Sequence, residues 1–245
     1  MLNHVCIFAN IDKLYILSEN SIGVIIKITF RTSIYTAFGK EKEGMSVESY
    51  SQMDIREKSG ERHPIFQMNH YLYVKGEYTN MVPGKRESIA GGLEAHLVPY
   101  QREDGTIVMK TDFFNNREEP LEIRLFVENI ILGKESRFGF VSPKRDVIYI
   151  TDENCLCIAS GIFREKSLCQ YGILQREHLW NWLQNGQIPF RPLGMGEVAG
   201  IYTLEKVLAP KEQVSAYTWM IYSQSMSEQE LLKRDHRLKT ALAFL

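Results

Sequence analysis

The sequence has no long run of basic residues, and its formal net charge over 245 residues is only −1. Because phosphate binding needs concentrated positive charge, this pattern argues against nucleic acid as the main partner. No apolar run reaches the ~18 residues that a membrane-spanning helix requires, so no membrane partner is expected. The first ten residues also lack the cationic start of a secretory signal. We therefore expect a cytoplasmic protein.

Cysteine is scarce, with four residues at positions 6, 155, 157 and 169 and no Cys-x-x-Cys spacing. This count and spacing favour reduced thiols packed as small hydrophobic side chains over a metal site. The sequence contains no Gly-x-Gly-x-x-Gly or Walker-type loop and no Gly-x-Ser-x-Gly elbow. It therefore predicts neither a metal site nor a cofactor.

Two neighbouring segments show the clearest pattern in the chain, an alternation of apolar and polar residues. In the first segment, one face carries Ile107, Met109, Thr111 and Phe113. In the second, one face carries Leu121, Ile123, Leu125 and Val127. The opposite face of the second segment carries Glu122, Arg124 and Glu128. Period-2 alternation is typical of strands with one buried face. Since the connector Asn115–Pro120 is short and polar, the segments are predicted to be antiparallel neighbours in a hairpin.

The rest of the chain supports an all-β interpretation. Roughly ten candidate strands and one firm helix favour an antiparallel sandwich over an α/β fold. Ser21–Phe30 is among these strands, and Phe66–Val74 places His70 on its apolar face, which indicates a core histidine. Residues 79–92 and 162–197 are predicted to be long loops, and a further loop follows Leu132.

The end of the chain changes to a helical pattern. Ser227 and Glu230 have the spacing of a capping box, and Leu231, Leu238, Leu242 and Leu245 follow at helical intervals. Such a helix either covers the sheet or leads into something further. We predict a β-sandwich domain over residues 1–226 and a linker-type helix over 227–245.

The most distinctive local feature is the segment from Arg176 to Gly186. Sugar sites combine aromatic faces with planar polar groups. This segment supplies both, and the predicted substrate-binding residues are Arg176, Glu177, Trp180, Asn181, Trp182 and Gln184. The alternative is structural: the tryptophans anchor a long loop to the core or to another domain.

No catalytic group is indicated with similar clarity. The adjacent carboxylates of the sequence lie in turns or at a helix start, where solvated carboxylates are normal. A sugar mutarotase needs a histidine and a carboxylate that converge on one face of a sandwich. Glu94 and His96, on the polar face of one strand, are the best such candidates, but a plain surface pair is the favoured explanation for them.

Several segments, in order, resemble the N-terminal β-sandwich of prokaryotic glucoamylase-type glycoside hydrolases. They are Phe114–Phe126 with its Glu-Pro-Leu-Glu-Ile-Arg-Leu-Phe, Arg145–Ile150, Trp180–Gly186, Gly196–Gly200, Leu208–Glu212 and the Ser-capped terminal helix. The resemblance covers about half of the chain, from residue 105 to residue 235. It implies a large two-sheet sandwich of the galactose-mutarotase-like, or supersandwich, type.

The resemblance also implies where chemistry takes place in that family. The catalytic carboxylates lie in a separate C-terminal (α/α)₆ barrel, so no catalytic residue is assigned to this chain. We expect a non-catalytic domain of an α-glucan-directed glycosidase that braces the barrel and helps to bind carbohydrate. Its expected partners are carbohydrate and the barrel, or a second copy bound through the terminal helix. The alternatives are a stand-alone mutarotase or epimerase and a carbohydrate-binding module on the same sandwich.

Overall fold

The computed structural model describes residues 6–10, 13–17, 24–26, 52–53, 65–89, 92–103, 105–132, 137–152, 155–223 and 227–243. The chain divides into two compact units, Met1–Met45 and Ser46–Leu245. In the first unit, strands β1 (Cys6–Asn10), β2 (Lys13–Leu17) and β3 (Val24–Ile26) form an antiparallel sheet in that order. Of the predicted strand Ser21–Phe30, the part outside β3 lies beyond the described residues. The predicted boundary between residues 226 and 227 stays a prediction.

The second unit is built almost entirely from antiparallel strands. These are β4 (Gln52–Met53), β5 (Ile65–Val74), β6 (Glu77–Met81), β7 (Arg86–Ile89), β8 (Leu93–Glu103), β9 (Thr106–Asn115), β10 (Leu121–Leu132), β11 (Arg137–Ser142), β12 (Val147–Thr151), β13 (Leu156–Phe163), β14 (Tyr171–Gln175), β15 (Leu193–Gly196), β16 (Val198–Leu208) and β17 (Gln213–Ser223). The described residues of this unit also form two α-helices, α1 (Leu179–Asn185) and α2 (Glu228–Leu242).

These strands form two sheets with a shared core. One sheet has the order β14-β16-β10-β5-β4, with β6 also paired to β5, and we call it the six-stranded sheet. The eight-stranded sheet has the order β15-β11-β12-β13-β17-β9-β8-β7. Apolar side chains from both sheets pack into one cluster, which includes Leu72, Leu125, Phe113 and Met220. The predicted antiparallel two-sheet β-sandwich is thus confirmed.

The predicted faces of β9 and β10 are also confirmed, but their pairing is not. Ile107, Met109, Leu121 and Leu125 point into the core cluster. However, β9 pairs with β8 and β17, whereas β10 pairs with β5 and β16 in the other sheet. The predicted hairpin is therefore wrong, because the short connector carries the chain from one sheet to the other. A period-2 pattern shows which face is buried but not which strand lies alongside.

A second crossing between the sheets lies beside the first, and Asn115 joins the two. The chain passes from β16 to β17 at residues 209–212. The buried amide Nδ2 of Asn115 lies 2.9 Å from the carbonyl oxygens of Glu119 and Ala209 and 3.3 Å from that of Leu208. The Asn115 side chain therefore links the two connections by hydrogen bonds.

The segments predicted to be long loops contain regular structure. Residues 79–92 include part of β6 and all of β7, β11 follows soon after residue 132, and residues 162–197 contain β14, α1 and β15. These elements are short, and several lie at sheet edges, where the apolar pattern is weak. The loop interpretation of these segments was wrong for that reason.

Helix α2 begins as predicted, since Ser227 Oγ accepts a hydrogen bond from the backbone N–H of Glu230. The helix packs against β13 and β17 of the eight-stranded sheet. Trp219 Nε1 donates to Asp235 Oδ1 over 2.9 Å, and Lys239 Nζ lies 2.9 Å from Asp235 Oδ2. The helix therefore covers part of the sheet.

The apolar face of α2 is less exposed than the sequence suggested. Leu242 is only 4% exposed, so its side chain is not free to bind a second copy of the chain. Leu238 is half-buried, and Leu245 lies outside the described residues. Self-association through this helix stays a prediction, which the sedimentation coefficient of the purified chain would check. Among the described residues, no helix is both long and apolar enough to cross a membrane.

Candidate functional site

Helix α1 is seated on the outward face of the six-stranded sheet. A short 3₁₀ turn, Arg176–His178, leads into it, and Leu179 and Leu183 are the buried side chains of the helix. These leucines are four residues apart, so they share one helical face. They pack on outward-facing residues of the sheet, including Phe126 and Ile201. The segment predicted to bind sugar is therefore a short helix fixed to the sheet.

The six predicted site residues do not share one surface. Trp180 is 50% exposed, and its ring lies 6.1 Å from that of Tyr71 and 6.0 Å from that of Tyr78. Two helical positions later, Trp182 points elsewhere: it is partly buried against the apolar cluster below α1, 5.9 Å from the ring of His178. Glu177, Asn181 and Gln184 are exposed. Trp182 thus has the anchoring role considered above, while Trp180 presents an open aromatic face.

A buried carboxylate lies beside this aromatic face. Glu128, on β10, is 1% exposed and is surrounded by donors. Asn69 Nδ2 donates to Glu128 Oε2 over 2.7 Å, Tyr71 Oη donates to the same oxygen over 3.2 Å, and Arg176 Nε lies 3.2 Å from Oε1. We call Glu128, Asn69, Tyr71 and Arg176 the Glu128 cluster. Tyr71 links it to the aromatic face, because its hydroxyl contacts Glu128 and its ring contacts Trp180.

Burial and the charges of Glu128 and Arg176 set the protonation state of Tyr71. Burial raises the pKa of Tyr71 far above its ordinary value, and the negative charge of Glu128 and the hydrogen bond to it act in the same direction. Arg176 opposes this effect. Tyr71 is therefore a permanent hydrogen-bond donor at neutral pH, and the half-exposed guanidinium of Arg176 is the outer edge of the cluster. Together these groups present donors and acceptors next to an aromatic ring.

Sequence reasoning named Arg176 and Trp180 but missed Glu128, Asn69, Tyr71 and Tyr78. A signal was present for one of them: Glu128 stands with Asn129 inside the otherwise apolar run Leu125–Leu132. A charge in such a run is costly unless it is paired, so it indicates a partner. Nothing local pointed to the others, because β5 and β6 bring them in from a distant part of the chain.

The C-terminal end of α1 is closely packed against the same sheet. Gly186 ends the helix with a φ of 63°, and Arg124 Nη1 donates to its carbonyl oxygen over 2.7 Å. A β-carbon at this position would lie 2.5 Å from Cζ of Tyr73. Glycine is therefore required here both by the left-handed backbone and by the ring beside it.

Replacement of Gly186 by alanine is expected to lower the free energy of unfolding by about 3 kcal/mol, since left-handed strain and overpacking add. The measurement is urea denaturation of the Gly186→Ala variant. Gly84→Ala is the matched control, because Gly84 also has a positive φ, of 82°, but has nothing within 4 Å of the added carbon. Its expected loss is about 1 kcal/mol. Equal losses in the two variants would show that Tyr73 does not confine α1.

The other predicted pair, Glu94 and His96, lies on the outward face of the eight-stranded sheet. Glu94 is exposed and His96 is partly buried, two residues apart on β8. The residue directly opposite His96 on β9 is Asp112, so a histidine and a carboxylate are cross-strand neighbours. Anomerisation of a sugar at this position stays a prediction.

The free cysteines with described side chains differ in their surroundings. Cys155 and Cys157 are free and buried, whereas Cys169 is free and exposed. Burial raises the pKa of Cys155 well above its ordinary value, so it is held as a thiol. Within the described ranges, no group of three or more His, Cys, Asp or Glu side chains is placed to hold a metal ion.

The fold and the site define an antiparallel two-sheet β-sandwich that carries a buried carboxylate beside an exposed aromatic face. No protein-family model matches the chain, and no curated protein does either. A similar fold is found in the crystal structure of a bacterial glucoamylase complexed with acarbose, with a TM-score of 0.52 and 12% sequence identity. The match covers 72% of this chain and 29% of that one. At this identity the likeness shows a shared fold alone, and the chain spans less than a third of the glucoamylase.

Proposed function

We propose that this chain is a non-catalytic, carbohydrate-binding sandwich of glucoamylase type, which holds an α-glucan or oligosaccharide on the outward face of the six-stranded sheet. The observation that carries the proposal is the half-exposed Trp180 beside Tyr78 and the Glu128 cluster. The fold likeness to a bacterial glucoamylase supports the choice of sugar class.

The chemistry of this surface suits a pyranose. The apolar face of a sugar ring stacks on an aromatic side chain, while its hydroxyls need both donors and acceptors. Trp180 supplies the ring, and Arg176 supplies outward-facing donors held in place by Glu128. Since Glu128 and Tyr71 are bound to each other and to their neighbours, their part is to orient the exposed groups. Hydrolysis belongs, in this proposal, to a separate barrel of the kind that the family resemblance implies.

Trp180→Ala is expected to weaken the binding of malto-oligosaccharides by about tenfold or more, because stacking on an exposed indole is lost. The measurement is a fluorescence titration of the purified chain with maltotriose and longer oligosaccharides. The same samples are assayed for glucose released from maltose and starch, and none is expected. Glucose release that exceeds the blank would contradict the non-catalytic role.

The matched control is Trp182→Phe, which keeps an aromatic ring in the anchoring position. Its affinity is expected to stay within about twofold of the unmodified chain, because Trp182 packs on the cluster below α1. A loss of affinity in Trp182→Phe without one in Trp180→Ala would place the sugar on a different surface and overturn the proposed site.

A further inference from the structure

Four polar side chains lie in one row across the outward face of the eight-stranded sheet. The strand register places Arg86 of β7 opposite His96 of β8, His96 opposite Asp112 of β9, and Asp112 opposite Ser215 of β17. We call these four residues the cross-strand row. Directly paired side chains on one face of a sheet have β-carbons ~5 Å apart, so each member lies within reach of the next.

The centre of the row is held rigidly. Ser215 Oγ donates to Asp112 Oδ1 over 2.6 Å, and Lys110 Nζ lies 2.8 Å from the same oxygen. Burial opposes ionisation of this carboxyl, but the hydrogen bonds from Lys110 and Ser215 outweigh it, and His96 adds to their effect. The pKa of Asp112 is therefore lowered. Asp112 is a fixed negative charge beside His96.

A shallow pocket of about 230 Å³ opens beside the row. Its polar lining comes from Arg86, His96 and Asp112 of the row, together with Glu94 and Gln213, and Phe114 adds part of a ring. Within the described part of the chain, the side chains of Arg86, Glu94 and Gln213 make no hydrogen bond or ion pair. Other charged side chains nearby do: Lys85 pairs with Glu87, and Lys110 with Asp112. The pocket therefore contains polar side chains that are available to bind a ligand.

The combination of groups selects a neutral polyol. A guanidinium and an amide donate, a carboxylate accepts, and an imidazole and an amide oxygen complete a set that matches the hydroxyls of a sugar ring. The charges of Arg86 and Glu94 cancel, and Lys110 balances the charge of Asp112, which gives no preference for a strongly ionic ligand. The volume is below the ~300 Å³ at which drug-sized sites begin, so it suits one ring only.

We infer that this pocket is a second carbohydrate site, which takes a single sugar residue on the outward face of the eight-stranded sheet, whereas Trp180 lies over the six-stranded sheet. The inference deepens the proposed function and rests on it for the class of ligand. The two sites share no residue, so each is tested separately.

The test is a titration of the ¹⁵N-labelled chain with D-glucose and with maltose, followed by amide and indole chemical shifts. Saturable shifts are expected for the backbone amides of Glu94–His96 and Asp112–Phe114. The double variant Arg86→Met, Glu94→Gln is expected to lose about tenfold in affinity at these amides, since it removes one donor and one acceptor from an exposed edge. The control is Lys85→Met, Glu87→Gln, which removes the same two charge types from β7 and its turn, outside the pocket, and is expected to leave the affinity unchanged.

The Trp180 indole N–H reports the other site in the same spectra, and Trp180→Ala is expected to leave the pocket shifts unaltered. Absence of saturable shifts at the pocket amides would overturn the second site, whatever the indole shows. Equal affinity in the unmodified chain and the Arg86→Met, Glu94→Gln variant would overturn it as well. Failure at the indole alone would instead count against the proposed function.

Discussion

Asn115→Ala is expected to lower the free energy of unfolding by about 3 kcal/mol, because it removes the buried side-chain amide that donates to carbonyl groups of the two flanking inter-sheet connections. The Asn115 amide lies within hydrogen-bonding distance of the carbonyls of Glu119, Leu208 and Ala209, and its Oδ1 accepts from the backbone N–H of Arg117 over 3.1 Å. The measurement is the urea midpoint and its slope, for which an unchanged slope shows that only stability has altered.

The neighbouring Asn116 offers the matched control. Its side chain is exposed, and among the described residues its Oδ1 accepts only from the exposed ammonium of Lys211, over 3.4 Å. Asn116→Ala is therefore expected to change the stability by less than about 0.5 kcal/mol. If the two variants lost the same amount, the side chain of Asn115 would not be what holds the two crossings together.

The second large effect is a loss of stability in acid that arises from His70. This side chain is 1% exposed between the two sheets, its Nε2 lies 2.8 Å from Thr218 Oγ1, and Nδ1 has no partner among the described residues. Burial lowers the pKa of His70 from 6.5 to about 3. Below pH 6.5 His70 is therefore protonated in the unfolded chain but stays neutral in the folded chain. The free energy of unfolding consequently falls as the pH falls.

The contribution of His70 is expected to reach about 1.4 kcal/mol per pH unit below pH 6, or roughly 2 to 3 kcal/mol by pH 4.5. The measurement compares urea denaturation of the unmodified chain and of His70→Gln at a series of pH values between 7.5 and 4.5. Glutamine keeps a polar group near Thr218 but does not titrate. Between pH 7.5 and 4.5 the variant is therefore expected to lose roughly 2 to 3 kcal/mol less stability than the unmodified chain. Parallel curves would show that His70 titrates alike in the folded and unfolded chain.

Both predictions test the packing that supports the two proposed carbohydrate sites. His70 lies on the inward face of β5, whose outward face carries Tyr71 of the Glu128 cluster. Asn115 ends β9, whose outward face carries Asp112 of the cross-strand row. Because successive residues of a strand point to opposite faces, the same strands build the core and present the sites.

Much of the fold was predictable from local patterns. The alternation in Leu121–Val127 correctly separated the core residues from Glu122, Arg124 and Glu128, and the capping box at Ser227 correctly marked the start of α2. His70 was correctly assigned to the core from its place on the apolar face of β5. These features depend on the side-chain period of a single element, which neighbouring residues already define.

The sites were predictable only in part. Trp180 and Arg176 stood out by residue type, yet the sequence grouped them with Trp182, which the helix turns towards the apolar cluster. Glu94 and His96 were noticed as a pair on one strand, whereas Arg86, Asp112 and Ser215 join them only through strand pairing. Contacts between distant segments cannot be deduced from periodicity, since any strand with the right alternation satisfies it equally well.

The sequence by itself determined that this chain is an antiparallel β-sandwich with a capped terminal helix, because burial of one face imposes a period that each strand records locally. Only the tertiary structure decided that β9 and β10 enter different sheets, that Glu128 meets Arg176 and Tyr71, and that the cross-strand row lies beside a pocket. Those arrangements depend on which strands pair and in what register. That choice is made by packing across the whole core, to which residues far apart in the chain contribute together.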